Sequence, residues 1–190
     1  PASVYMNTPE WLRGTVDIFG LPYPSYRFAI IAVGLAVGAG LYLASHRTRV
    51  GMLIRAGASN PEMVSALGVN IKGLNTLVFT LGAGLAGLAG LMAGPIVSVQ
   101  SGMGEPILIL TLVVIVTGGI GSIRGAFYGA LIVGIVDTIG RAFLPGLLRE
   151  VLDRSVAQAV GPAIASMLIY LLMAAVLALK PQGLFPVKHG

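Results

Sequence analysis

The chain has no cysteine among its 190 residues. That absence excludes thiolate metal sites, redox motifs and disulfides, and leaves the redox compartment open. Charge is also scarce, at 10% of residues against the ~25% of a soluble domain, while 56% are hydrophobic and the mean hydropathy is +0.90. This is the composition of a membrane protein. There are two histidines, no H-E-x-x-H and no His-rich spacing, so the usual metal-site patterns are missing. There is no G-x-x-x-x-G-K-[ST], so the chain does not cradle ATP phosphates in the usual way, and energy for any work must come from another subunit or a gradient. The net charge of +5 is too scattered for a nucleic-acid patch. What the chain has in excess is glycine, 27 residues with no G-X-Y period, which suits closely packed membrane helices rather than collagen.

Five apolar segments follow one another: 28–45, 74–94, 107–117, 127–140 and 162–179. The first two and the last approach the ~20 residues needed to cross the hydrocarbon core. The third and fourth read as two spans, or as one span and a broken one, joined by a glycine-rich turn. The expected fold is all-α, a polytopic transmembrane helical bundle of about five spans forming a single domain over 1–190. The opening PASVYMNTPEW has neither an initiator Met nor a basic region followed by an apolar one, and the chain is expected to be the later part of a longer protein.

Basic residues set the orientation. If 46–73 is cytoplasmic, five crossings also place the turn at Arg124 and the tail after Leu179 inside, with Arg47, Arg49, Arg55, Lys72, Arg124, Lys180 and Lys188 against the single acid Glu62. Arg13, Arg27, Arg141, Arg149 and Arg154 fall outside, beside five acids. The bias is modest, and the basic stretch 47–55 directly after the first segment is its clearest part.

Between the first two segments lies RAGASNPEMVSALGVN, residues 55–70. Asn60 or Ser59 can cap a helix, Pro61 suits its first turn, Glu62 favours its positive end, and Gly68 can close it two turns later. Met63, Val64 and Leu67 can share one face. The segment is either a rigid apolar knob presented to a partner's groove or a loop helix lying on the membrane surface.

Other stretches carry two readings each. GAGLAG, 82–87, fits a dinucleotide fingerprint in letters but sits inside an apolar span, not after a strand. Gly82, Gly87, Gly90 and Gly94 instead recur at near-helical spacing and make a smooth packing face, as do Gly34 and Gly38 on the first span. TGGIGSIRGA, 117–126, is either a tight turn or a break whose backbone meets a polar substrate, which makes Thr117, Gly118, Gly119 and Gly121 candidates for a substrate path. Gln100 and Ser101, between the breaks at Pro95 and Pro106, join them more weakly. Asp137 is the one acid in an apolar run, and Arg141 four residues on can pair with it near the membrane surface, unless the pair serves the path. Residues 144–160 interleave leucines and valines with charges, the pattern of an amphipathic helix on the outer surface.

Taken in order, RTRVGMLIRAGASNPEMVSALGVNIKGLNTLVFTLGAGLAGLAG, then GPI, then TGGIGSIRGAFYGALIVGIVDTIGRAFLP and the tail KPQGLF resemble the permease subunits of ABC importers for branched-chain amino acids. The resemblance runs from about Thr8 onward. It is specific for the family but not for the substrate, since it extends to carriers of urea, short amides and other amino acids. It implies that 55–70 is the coupling helix, seated in a cleft of the ATPase subunit, with Asn60, Pro61, Glu62, Met63, Val64, Leu67 and Gly68 as its contact and capping residues. It implies no bound cofactor, ATP being held by ATP-binding partner subunits. The other implied partners are a second permease subunit, an extracytoplasmic substrate-binding protein and membrane lipid. The place implied is the cytoplasmic membrane of a prokaryote, with the carboxy terminus inside. Members usually carry further spans before the part matched by Pro1. The alternative of another class is a gradient-driven transporter or channel using Asp137 as a proton site. A membrane-embedded enzyme ranks below both, because no paired acids or nucleophile and base are visible.

Overall fold

The computed structural model describes residues 3–186, so Lys188, counted above on the inner side, lies outside the described residues. The chain divides into two compact units, 1–103 and 104–190.

In the first unit, a short 3-10 turn at Glu10–Leu12 precedes a hairpin of β1 (Thr15–Ile18) and β2 (Leu21–Pro24). Ile18 pairs with Leu21, so the loop is Phe19-Gly20, and both residues have positive φ, 50° and 81°. Two successive left-handed residues match the right-handed twist of the strands, and Gly20 adopts this conformation without the cost that Phe19 bears. Among the described residues an isolated antiparallel bridge between Val4 and Val99 and this hairpin depart from the all-α expectation. The alternation in TVDIFGLPYP around its Phe-Gly turn carried the signal.

Pro24 ends the strand and α1 (Ser25–Arg47) begins. A single hydroxyl joins it to α2 (Arg49–Ser59): Thr48 Oγ1 donates to the Ala44 carbonyl and accepts from Gly51 N at 3.1 Å. The corner is tight, because a Cβ on Gly51 would run into the backbone of Ala44 and Ser45. Beyond the short α3 (Pro61–Ala66), α4 (Ile71–Ala93) is capped by Asn70, whose Oδ1 accepts from Gly73 N at 3.1 Å. At the far end of α1, Tyr26 Oη donates to Met92 O at 2.6 Å, tying its start to the last turn of α4. Along the rest of their length the two helices leave an apolar cleft of about 380 Å³. The glycine faces therefore do not do what was expected of them within this chain: nothing lies within 4 Å of a Cβ built on Gly34, Gly82, Gly87 or Gly90, Gly94 meets the Met6 side chain rather than a helix, and Gly38 is half-buried.

The second unit holds α5 (Gly104–Gly118), α6 (Ile123–Leu148) and α7 (Arg154–Leu179). Here glycine does bring helices together. Gly118 and Gly125 lie backbone to backbone, and a Cβ on Gly129 would stand 2.9 Å from Val114 O, so α5 and α6 cross antiparallel at their glycines. Further along α6, Gly140 faces Ala165, and Pro145 fills the space beside Gly161, bringing α7 equally close. In lipid no hydrophobic force separates one apolar helix from another, so small residues that let backbones approach supply the packing energy. Val113, Val133 and Ile169, one from each helix, are buried at the centre.

Four helices, α1, α4, α6 and α7, are long and apolar enough to cross a membrane, and α5 is a shorter apolar helix of 15 residues. This agrees with a helical membrane bundle and settles the third segment as the short one. Two sequence readings are corrected. Residues 144–160 are not one surface helix, since α6 runs to Leu148 and α7 starts at Arg154, with a turn over the charged 149–153 stretch between them. Pro162 does not open the last span but lies inside α7, where its missing amide removes only the bond to Gln158 O while Gly161 against Pro145 keeps the helix in contact.

Gly125→Val should be strongly destabilising, by at least the ~1 to 3 kcal/mol typical of overpacking, because the new side chain has only the Gly118 backbone to displace. Gly134→Val, into open space on the same helix, should change stability by no more than about a few tenths of a kcal/mol, since valine is no worse a helix former than glycine. Unfolding midpoints of the two variants in detergent check this, and equal midpoints would mean that the crossing is not held by glycine.

Candidate functional site

Three places bring the singled-out residues together. The first is the corner of α2, α3 and α4. Asn60 Oδ1 accepts from Met63 N at 3.0 Å, Pro61 occupies the first helical position and Glu62 the first turn. At the other end Gly68 takes φ +88°, its amide donates to Ser65 O at 3.0 Å, and Val69 N donates to Val64 O. Both ends of this six-residue helix are thus closed by its own sequence, which a helix too short to persist alone requires. Val64 is buried, so it anchors α3 inward and is not on the presented face, contrary to the sequence reading. The outward residues are Met63, 60% exposed, and Leu67, 77% exposed, four positions apart. Beneath them Gly57 of α2 packs on Leu74 and Ile71 of α4, which fixes the corner to both neighbouring helices.

The second place is the glycine-rich break after α5. Gly119 and Gly121 have φ +107° and +83°, so the chain reverses within a few residues. The tail after α7 folds back onto this break. Leu184 N donates to Thr117 O at 2.9 Å and Phe185 N to Gly118 O at 3.0 Å, Gly183 lies against Gly119, and the Phe185 ring stacks on Tyr128 of α6. The carbonyls left over at the end of α5 are thereby satisfied by the chain itself. This corrects the substrate-path reading of Thr117, Gly118 and Gly119: all three are buried, and the tail holds the backbone acceptors that a substrate would need. Gly121 remains exposed at the turn. Gln100 and Ser101 belong to the first unit, in an exposed turn where Gln100 O accepts from Met103 N at 3.3 Å. The pairing of tail with break puts both on one end of the second unit.

The third place is the ion pair. Arg141 Nε donates to Asp137 Oδ1 at 2.8 Å. The sequence placed this pair near the membrane surface, but α6 extends well past the apolar run. Asp137 lies 14 residues after Ile123 and 11 before Leu148, near the midpoint of the helix. Among the described residues no group of three or more His, Cys, Asp or Glu is placed to hold a metal.

Comparison with known proteins gives the arrangement its context. A family model described as the permease component of branched-chain amino acid transport systems matches residues 2–177. The high-affinity branched-chain amino acid permease BraD of Pseudomonas aeruginosa is 33% identical over 132 residues, 69% of this chain and 43% of that protein. LivH of Escherichia coli K12, named likewise, is 29% identical over 151 residues, 76% of this chain and 47% of its own length. The xylose permease XylH of Haemophilus influenzae is 29% identical over 132 residues, 64% of this chain and 32% of that protein. The chain thus spans about half the length of the branched-chain permeases it matches, and no solved structure matches it. With a family model covering nearly all of its residues, the chain belongs to the permease family of branched-chain amino acid transport systems.

Proposed function

We propose that this chain forms part of the permease subunit of an ATP-driven ABC importer that carries branched-chain or related amino acids across the cytoplasmic membrane of a prokaryote. The observation that carries the reading is α3. A helix of six residues, capped at both ends, anchored by Val64 and fixed to α2 and α4, presents Met63 and Leu67 as a stiff apolar pair. An exposed apolar pair on a rigid support suits a groove in a partner, and stiffness is what a part that transmits motion needs. ATP is bound and hydrolysed on a separate subunit whose cleft receives α3, and its closure moves α2 and α4. A second permease subunit completes the path, and an extracytoplasmic binding protein delivers the substrate. The permease makes and breaks no covalent bond. LivH of Escherichia coli and BraD match more of this chain than the xylose permease does, which supports amino acids over sugars. Urea or short amides would need no ion pair within the span, and a gradient-driven carrier would have no use for α3.

Met63→Asp with Leu67→Asp, made in the full-length permease, should reach the membrane in normal amounts and lose the ATPase subunit on purification. Each side chain contributes ~1.5 to 3 kcal/mol when fully buried in a cleft, and docking would also bury an unpaired charge. If both variants retain the ATPase and substrate-stimulated hydrolysis, α3 is not the coupling element.

Orientation has its own test. Ser122, half-buried at the start of α6 where its Oγ accepts from Gly125 N at 3.0 Å, belongs to the cytoplasmic face on this reading. Ser122→Cys should react with a membrane-impermeant thiol reagent in inside-out vesicles and not in intact cells. Labelling of intact cells alone would invert the topology.

A further inference from the structure

The second unit contains a pocket of about 200 Å³ formed by all three of its helices. Leu110 and Val113 of α5 and Ile169 of α7 give it an apolar wall, and Arg141 of α6 with Ser166 and Tyr170 of α7 give it polar groups. Its depth is notable for a membrane chain. Ser166 lies 12 residues after Arg154 and 13 before Leu179, at the middle of α7, and Arg141 is one turn from the near-central Asp137 of α6. The pocket therefore sits at mid-depth of the two long helices, beside the short α5.

The polar groups there are incompletely used. Arg141 donates to Asp137 through Nε alone, and its terminal Nη1 and Nη2 have no partner among the described residues. Asp137 does not itself line the pocket but stands one turn along α6 from the lining residue Arg141, and it accepts through Oδ1 with no other hydrogen bond among the described residues. Ser166 Oγ donates to Pro162 O at 3.1 Å and keeps its acceptor capacity, and the Tyr170 hydroxyl has no partner among the described residues. An exposed i,i+4 ion pair stabilises a helix by only a few tenths of a kcal/mol, whereas placing two charges at mid-membrane is costly. Helix stability therefore does not account for the pair at this depth.

We propose that this pocket binds the translocated substrate, an α-amino acid zwitterion with an aliphatic side chain, and that the Asp137–Arg141 pair is the charge complement of its two ionic groups. The inference rests on the amino-acid transport reading above and deepens it. A zwitterion entering a medium of low dielectric needs an anion and a cation a few ångströms apart, which is the arrangement of a salt bridge. The Arg141 fork accepts the carboxylate in two parallel hydrogen bonds, and Asp137 Oδ2 accepts from the ammonium. Ser166 and Tyr170 complete the polar shell, and Leu110, Val113 and Ile169 take the aliphatic side chain. With the pocket empty, the two residues neutralise each other, so the permease at rest carries no unpaired charge at that depth. A neutral sugar or amide would have no use for the pair, so the same geometry that favours the zwitterion rejects uncharged solutes.

The test uses the full-length permease assembled with its partner permease and ATPase subunits in proteoliposomes and supplied with the binding protein, with leucine, leucinamide, which lacks the carboxylate, and 4-methylpentanoate, which lacks the ammonium. Arg141→Gln should raise the KM for leucine roughly ten- to hundredfold, the loss of a hydrogen-bonded charge contact, and Arg141→Lys should restore part of it. Asp137→Asn should narrow the preference for leucine over 4-methylpentanoate. Because the chain has no cysteine, Ser166→Cys supplies a single label within it, and leucine should slow its alkylation while leucinamide should not. Purification with the ATPase subunits shows whether each variant has assembled, and the protection assay does not depend on turnover. An unchanged KM in Arg141→Gln, or alkylation indifferent to leucine, overturns the pocket while leaving the importer reading intact. If the wild-type assembly moves no amino acid on ATP, the functional reading itself fails, and leucine protection of Ser166→Cys would then still report the binding site by itself.

Discussion

A backbone carbonyl or amide left without a partner in hydrocarbon costs several kcal/mol, and the rest of this structure follows from meeting that requirement. Helices meet it along their length, so the difficulty gathers at their ends. Asn60, Asn70 and Ser122 each accept a bond from the amide three residues on, and Thr48 serves two helices with one hydroxyl. After α5 no side chain is available, because the chain there is nearly all glycine. The main chain of the tail supplies the donors instead, through Leu184 and Phe185. The glycines that make the reversal possible also make it bare enough for another backbone to reach it.

The same residue type has opposite consequences in the two units. In the second, Gly118, Gly125, Gly129 and Gly161 each face another segment at a distance that a side chain would forbid, and Gly140 lies tight against Ala165. In the first, Gly34, Gly82, Gly87 and Gly90 look onto open space, and α1 and α4 are joined by a cap at one end and the α2–α3 corner at the other. Such a unit is stiff at its ends and open between them. On the function proposed above it suits a corner pushed by a partner, since α3 is anchored by the buried Val64 and α2 packs on α4 through Gly57.

Charge follows a comparable division. Most Lys and Arg residues lie at helix ends or in turns, where water reaches them, and need no special account. Asp137 and Arg141 are different because α6 continues to Leu148 and draws the pair toward the middle of a long apolar helix. Their separation of one helical turn lets them neutralise each other, and the fork of Arg141 is left facing a pocket that three helices build together.

Much of this was legible before any coordinates. Apolar runs near the length of a bilayer, low charge and abundant glycine determine a helical membrane protein, because those properties belong to each segment separately. The caps of α3 were equally readable, since Asn60, Pro61 and Gly68 act on backbone within a few residues of themselves. What the residues could not declare depends on other segments. Spacing shows that glycines share a face but not whether anything comes to meet it, and so the packing glycines were sought on α4 and found on α5, α6 and α7. Periodicity groups Met63, Val64 and Leu67, yet only contact with the neighbouring helices decides that Val64 turns inward. The apolar count ended the fourth span at Gly140, whereas α6 runs on to Leu148, with Pro145 packed on Gly161, and so holds the ion pair near the middle of the helix rather than at its end. Local chemistry is written in adjacent residues, and depth, burial and the closure of the break by a distant tail are properties of the assembled chain.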